Sequence, residues 1–134
     1  MIIIVCIDDK FGVMFDGKRQ SRDRGLIDDL MTLAKGRRVV ISTYSAPLFE
    51  GREVSINEKT FDVAEEGDFV FIEDGKLLRH LDKIDEIVMY KWNRTYPRDA
   101  LLDLIPEEHG FKLIDSCDFV GSSHKKITRE VYRK

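Results

Sequence analysis

Three short stretches carry side chains with chemistry to offer. Lys18-Arg19-Gln20-Ser21-Arg22-Asp23-Arg24 gathers four cations within seven residues. Guanidinium forks grip phosphate through paired hydrogen bonds and hydroxyls add more, so this stretch reads as a phosphate or nucleic-acid contact. It reads equally as a solvated loop balanced by Asp16, Asp23, Asp28 and Asp29. Ser42-Thr43-Tyr44-Ser45 offers hydroxyls to a small polar ligand at the end of an expected central strand, or caps the short helix after it. In Glu73-Asp74-Gly75 an apolar run, Phe69-Val70-Phe71-Ile72, stops at two carboxylates before an apparent helix. A strand feeding a helix N-terminus commonly holds an anion. Two acids there either favour the helix dipole, by about 0.3–1 kcal/mol each, or face a cation or basic partner.

Other chemistry is thinner. His80, His109 and His124 show no H-x-H or H-x-x-x-H spacing, so no metal site is expected. No G-x-S-x-G elbow marks a nucleophile, and spacing does not say whether His124 meets a serine. Tyr90, Trp92 and Tyr96 could stack on a planar ring or simply pack the core. Lys35, Arg37 and Arg38 suit a helix C-terminus. Cys6, inside Met1–Ile7, reads as a buried thiol, and two distant cysteines make neither a disulfide framework nor a zinc pattern.

The elements that must position these residues follow from the pattern. The chain has 134 residues, 43% of them hydrophobic and 35% charged, enough for one globular domain spanning 1–134 without staples. A net charge of −3 gives no general pull toward nucleic acid. The opening apolar run lacks a basic lead-in and is too short for a membrane span, which argues for a cytoplasmic, reducing location. Ile2–Ile7, Arg38–Thr43, Asp68–Ile72 and Asp85–Trp92 read as buried strands. Asp8–Arg24 reads as a long loop, and Asp23 as the cap of a helix bearing Leu26, Ile27 and Leu30 and ending at Gly36. Ser55 or Asn57 is expected to cap a brief helix through Ala64, and Lys76–Leu81 to be another helix. Phe111–Phe119 and Lys125–Tyr132 form a closing strand pair, the latter expected at the sheet edge. Alternation of strands and helices argues for an α/β fold: a mostly parallel twisted sheet, helices on both faces, and an antiparallel C-terminal hairpin.

In this order the segments resemble the dihydrofolate reductase family. IVCIDDKFGVMFDGK resembles its first strand and glycine-bearing loop, and GRRVVIST its second-strand segment. FVFIEDGKLL resembles its strand–turn–helix, IDEIVMYKWNRTYPRDALLDLIP its later strand and loop, and HKKITREVYRK its closing strand. The resemblance is collinear over the whole chain and implies a three-layer reductase-like domain. Between Thr43 and Asp68 the chain is too short for all the strands with which that family binds the adenosine half of NADPH.

Carried over residue by residue, the resemblance implies altered chemistry. The family's Pro-Trp pair falls on Gln20-Ser21 and its substrate-binding acid on Leu26. Asp28 and Asp29 are the remaining candidates for that acid, reached only with a gap. The Gly-Arg pair becomes Ser42-Thr43, the Gly-Gly pair Glu73-Asp74, and the Asp of Gly-Asp-Thr falls on Asp99. Carboxylates at the diphosphate turn would repel the cofactor by roughly 4 kcal/mol per pair of charges at ~4 Å and a dielectric near 20. No cofactor is therefore expected, with NADPH as the alternative. The expected cleft is lined by Asp8, Arg22, Arg24, Ser42, Thr43, Tyr44, Glu73, Asp74 and Asp99. It suits a small polar molecule in a binding or regulatory module. The alternatives are a divergent NADPH-dependent reductase of a pterin-like ring, and nucleic-acid binding or nuclease action through residues 18–24. A two-zinc nuclease of the ribonuclease Z kind is excluded, because its H-x-H-x-D-H motif is absent. Nothing in the sequence sets an oligomeric state or implies a membrane partner.

Overall fold

In the computed structural model, which describes all residues from Met1 to Lys134, ten strands and two helices follow one another along the chain. The strands are β1 (Ile2–Ile7), β2 (Gly12–Phe15), β3 (Lys18–Arg19), β4 (Val39–Ile41), β5 (Ser55–Ile56), β6 (Phe69–Phe71), β7 (Glu86–Lys91), β8 (Ala100–Leu101), β9 (Lys112–Phe119) and β10 (Ile127–Arg133). The helices are α1 (Arg24–Leu33) and α2 (Thr60–Val63), with single 3₁₀ turns at Ala46–Phe49, Leu78–Lys83 and Pro106–His109. No helix is long and apolar enough to cross a membrane.

Seven strands make one sheet in the order β5-β4-β6-β1-β7-β10-β9. The pairings from β5 through β7 are parallel, while β10 runs antiparallel to β7 and β9 antiparallel to β10. The first strand therefore lies at the centre, with Ile2 opposite both Phe69 and Glu86. A central parallel strand is covered on both faces, which is why β1 is apolar throughout instead of alternating. Ile3, Val5 and Ile7 join Val40, Val70, Ile87 and Met89 in one core, and Ile4 joins Ile41, Phe71, Val88 and Tyr90 in the other.

Helix α1 covers the second of these cores with Leu26, Ile27 and Leu30. Its start is set by Asp23, in extended backbone with its side chain accepting from the Leu26 N–H, and Gly36 follows its end at φ +82°. The opposite face has only thin cover: Phe61 and Val63 of α2, and Leu77, Leu104 and Phe111 from irregular chain. The expected helices on both faces are present, but very unequal. Between β4 and β6 the chain holds only β5, a 3₁₀ turn and α2.

Four expectations need correction. Asp8–Arg24 is not a loop, because β2 and β3 form a hairpin there and β8 adds a third strand. Its turn is Asp16-Gly17, with φ of +52° and +69°. Two successive positive φ values define the tight turn whose twist matches paired strands. Lys76–Leu81 is not an α-helix either. Gly75 takes φ +71°, and the N–H groups of Leu77 and Leu78 are drawn off to the Asp103 carboxylate, leaving only a 3₁₀ turn from Leu78. Glu73 and Asp74 therefore meet no helix dipole. Strand β10 is interior, and β9, almost wholly exposed, is the edge. Finally, α2 lacks a side-chain cap, and Asn57 instead accepts from the Lys59 N–H ahead of it.

Candidate functional site

Parallel strands carry their C-terminal ends to one edge, the usual location of binding sites in open α/β sheets. Here that edge gathers Asp8 after β1, Ser42–Ser45 after β4, Glu73 and Asp74 after β6, and Trp92 after β7. The β2–β3 hairpin folds over it. Arg19 grips Glu73 with both arms of its guanidinium, Nε to Oε1 at 2.7 Å and Nη2 to Oε2 at 2.9 Å. The same Nη2 donates to the Tyr44 carbonyl, the guanidinium lies 4.3 Å over the Tyr44 ring, and the Arg19 N–H donates to the Tyr44 hydroxyl. Buried Ser45 donates its hydroxyl to Glu73 Oε2 at 2.7 Å. Both Glu73 oxygens are thus committed, and Arg19 with Tyr44 closes the gap between the ends of β4 and β6. Beneath lies a cavity of about 20 Å³ walled by Cys6, Val13, Leu26, Phe71 and Trp92. That volume holds about one water.

A second cluster sits where α1 begins. Asp23 is fully enclosed and accepts from the N–H groups of Leu26, Ser122 and Ser123 at 2.9–3.0 Å. It also accepts from both serine hydroxyls, and its Oδ2 lies 2.8 Å from His124 Nδ1. Burial alone would raise the Asp23 pKa. The Ser123 N–H, the imidazole and the Ser122 and Leu26 N–H groups outweigh it and hold the carboxyl far below the ordinary range. His124 is 6% exposed and stacked on Trp92, ring centroids 4.7 Å apart. Its Nε2 meets Ser21 Oγ at 3.0 Å and Tyr96 Oη at 3.1 Å. Gly25 and Gly121 are required here: a Cβ on Gly121 would stand 2.4 Å from Asp23 Oδ2, and one on Gly25 would stand 3.0 Å from the Ser122 nitrogen.

The structure redistributes the residues expected to line a single cleft. Asp8 is buried and takes up the N–H groups of Lys10, Gly12 and Tyr96 and the Gln20 amide. Burial pushes its pKa up, but these hydrogen bonds prevail and hold it below the usual value. It is a turn clamp with no free lone pair facing the cleft. Asp28 pairs with Arg52 on the surface. Asp29 binds Arg129 and the buried Tyr90 hydroxyl on the sheet side of α1. Neither acid candidate reaches the cavity, whereas Leu26, on the position paired with the family's acid, forms part of its wall. Helical rotation of about 100° per residue accounts for this. Thr43 is exposed, its N–H tied to Glu58, and Ser42 lies within reach only of Ser45. Asp74 closes a local turn onto the Lys76 N–H, and Asp99 receives the Asp16 N–H at the hairpin tip. Arg22 and Arg24 are exposed and line an open groove of about 600 Å³ with Arg52, Glu50, Ser122 and Ser123. No three His, Cys, Asp or Glu side chains are grouped to hold a metal ion.

Arg19, Ser45, Ser21, Tyr96 and His124 belong to these two clusters; the sequence marks them only within broader stretches or sets, and it does not reveal their pairings. The partners of the key pairs lie 54 residues apart for Arg19 and Glu73 and 101 apart for Asp23 and His124. Only the Asp23 cap announced itself locally.

No protein-family model matches the chain, and no curated protein matches it. In three dimensions the chain superposes on dihydrofolate reductase from Enterococcus faecalis, in a structure of that enzyme complexed with NADP(H) and RAB-propyl. The TM-score is 0.68, and the match covers 98% of this chain and 94% of that one. The fold is that of dihydrofolate reductase. Sequence identity is 11%, so the likeness establishes the reductase-like architecture and leaves the chemistry to be argued from the side chains.

Proposed function

We propose that this chain is a dihydrofolate-reductase-like domain that no longer transfers hydride from NADPH and binds a small polar ligand as a regulatory or sensing module. The observation that carries the reading is the two-armed Arg19–Glu73 pair. It occupies the turn where the resemblance places a cofactor diphosphate, with the Glu73 side chain 11% and the Arg19 side chain 20% exposed. Seating a dinucleotide there would separate the pair and leave a half-buried carboxylate facing phosphate, a loss of about 3 kcal/mol before any repulsion. Glycine in such a turn lets phosphate approach the backbone, but Glu73 fills that approach and Ser42-Thr43 supplies no arginine. The cavity beneath has room for about one water, far too little for a planar heterocycle.

The open groove beside α1 is the better ligand site. Arg22 and Arg24 bring cationic forks and Ser122 and Ser123 bring hydroxyls, a set suited to a small anion. The net charge of −3 disfavours the extended phosphate backbone of a nucleic acid. Two free cysteines fit a reducing, cytoplasmic setting. The deciding experiment is calorimetric titration with NADPH, for which no saturable heat is expected below millimolar cofactor. Micromolar binding, or hydride transfer to dihydrofolate followed by absorbance, would restore the reductase reading. On the positive side, inorganic phosphate or citrate should raise Tm, because a ligand specific for the folded state stabilises it. The rise should vanish in Arg22→Ala/Arg24→Ala.

A further inference from the structure

We propose that Ser21, His124 and Asp23 form a nucleophile, a general base and an orienting carboxylate that transfer the acyl group of a small anionic ester to water. Two contacts set the geometry: Ser21 Oγ lies 3.0 Å from His124 Nε2, and His124 Nδ1 lies 2.8 Å from Asp23 Oδ2. A carboxylate fixed on Nδ1 keeps the proton there and leaves the Nε2 lone pair for a hydroxyl, the arrangement that activates a serine. Asp23 cannot turn away, because three backbone N–H groups and two hydroxyls hold it. The imidazole cannot rotate freely either, being stacked on Trp92 and 6% exposed. A purely architectural histidine would need only the Nδ1 bond to fasten the Gly121–His124 loop to α1. Here the second nitrogen also points at two hydroxyls, those of Ser21 and Tyr96.

The surroundings suit the reaction. Ser21 lines the small cavity, and its neighbour Arg22 lines both that cavity and the open groove, so the nucleophile sits where the two meet. Arg22 and Arg24 favour an acyl or alcohol group bearing a carboxylate or phosphate. The Arg22 N–H, on the residue after the nucleophile, has no acceptor within the chain and is the expected donor to the oxyanion. In the first half-reaction Ser21 Oγ bonds to the acyl carbon as its proton passes to Nε2. The ester C–O bond then breaks and the alcohol leaves with that proton. In the second, water attacks the acyl-serine, its proton again passing through Nε2 to Ser21 Oγ, which releases a carboxylic acid. The sum is ester plus water giving acid plus alcohol. Asp23 is a positioning residue, since of the reacting groups it touches only the imidazole.

The test is covalent labelling with an alkyl fluorophosphonate, in which an activated serine oxygen displaces fluoride from phosphorus. Intact-mass and peptide analysis of the full chain should place one adduct on Ser21. Ser21→Ala should take up none while keeping its fold, read from Trp92 fluorescence. His124→Gln should label ~100-fold more slowly or worse, the usual contribution of a general base. If that variant does not fold, wild type against Ser21→Ala still decides. Release of nitrophenol from 4-nitrophenyl succinate should show an initial burst, absent in Ser21→Ala. A folded wild type that gains no adduct on Ser21, or reacts equally at other hydroxyls, overturns the proposal. The NADPH titration is unaffected by either result, so the two readings fail separately.

Discussion

Replacing Asp23 by alanine removes the carboxylate that ties the start of α1 to the Ser122–His124 segment. The N-cap bond to Leu26 is worth about 1 kcal/mol. The Ser122 and Ser123 N–H groups and the His124 ring, bonded at 2.8–2.9 Å, lose their acceptor. Each orphaned buried donor costs about 1 kcal/mol or more. The total is about 4 kcal/mol, or a fall in Tm of roughly 15 °C at ~4 °C per kcal/mol for a domain of this size. Equilibrium unfolding in urea followed by Trp92 fluorescence measures both the loss and its location, because the one tryptophan stacks on His124. Asp23→Asn separates charge from shape. The folded-state pKa of Asp23 lies below its unfolded value, so its stabilisation is complete above the ordinary carboxylate range and disappears as pH falls through the folded value. Wild type should therefore lose stability progressively below about pH 5, and Asp23→Asn should have a shallower slope there. A Asp23→Ala variant within 1 kcal/mol of wild type, with unchanged tryptophan emission, would refute this reasoning.

The Arg19–Glu73 contact should show a coupling of about 1–3 kcal/mol in a double-mutant cycle of Arg19→Ala and Glu73→Ala, because both partners are mostly shielded. Calorimetric and chemical unfolding of the four proteins measure it. Asp29→Ala should destabilise by about 3 kcal/mol, since it leaves the Tyr90 hydroxyl and Arg129 without their acceptor. Asp28→Ala, which breaks a largely exposed pair, should change stability by less than about 1 kcal/mol, as chemical denaturation will show. Native protein should react with one equivalent of a thiol reagent, at exposed Cys117. Cys6, whose thiol burial and then Glu73 push far above the usual range, should react only after denaturation.

Much of the scaffold was readable because the apolar runs are unambiguous. β1, β4, β6 and β7 are short, branched and bounded by polar residues, as strands buried on both faces must be. Asp23 before Leu26, Ile27 and Leu30 announced α1 by capping and period alone. The hairpin was also legible in principle, since Asp16-Gly17 between Met14-Phe15 and Lys18-Arg19 is a strong two-residue turn signal. It was hidden by the polar surroundings and by strands of only four and two residues. The helix expected over Lys76–Leu81 failed for another reason. Leu77 and Leu81 have helical spacing, but Asp103, remote in sequence, takes the N–H groups of Leu77 and Leu78. The candidate site was the least legible part. The resemblance drew attention to the acid, arginine and glycine positions of a reductase. The groups that meet at the corresponding edge instead come from Arg19, Ser45, Ser21 and His124, whose types and neighbours are ordinary for solvated loops.

The position of the first strand bears on how the molecule acquires its shape. Ile2 pairs with Phe69 and with Glu86, so the middle of the sheet joins segments 67 and 84 residues apart, the differences between those numbers. Loop closure over such spans precedes any gain from contact, which places the chain among slow folders, on the millisecond-to-second scale. On a ribosome, the hydrophobic opening segment would wait with both flanks unpaired until most of the polypeptide had emerged. During that interval it would be a natural target for a chaperone.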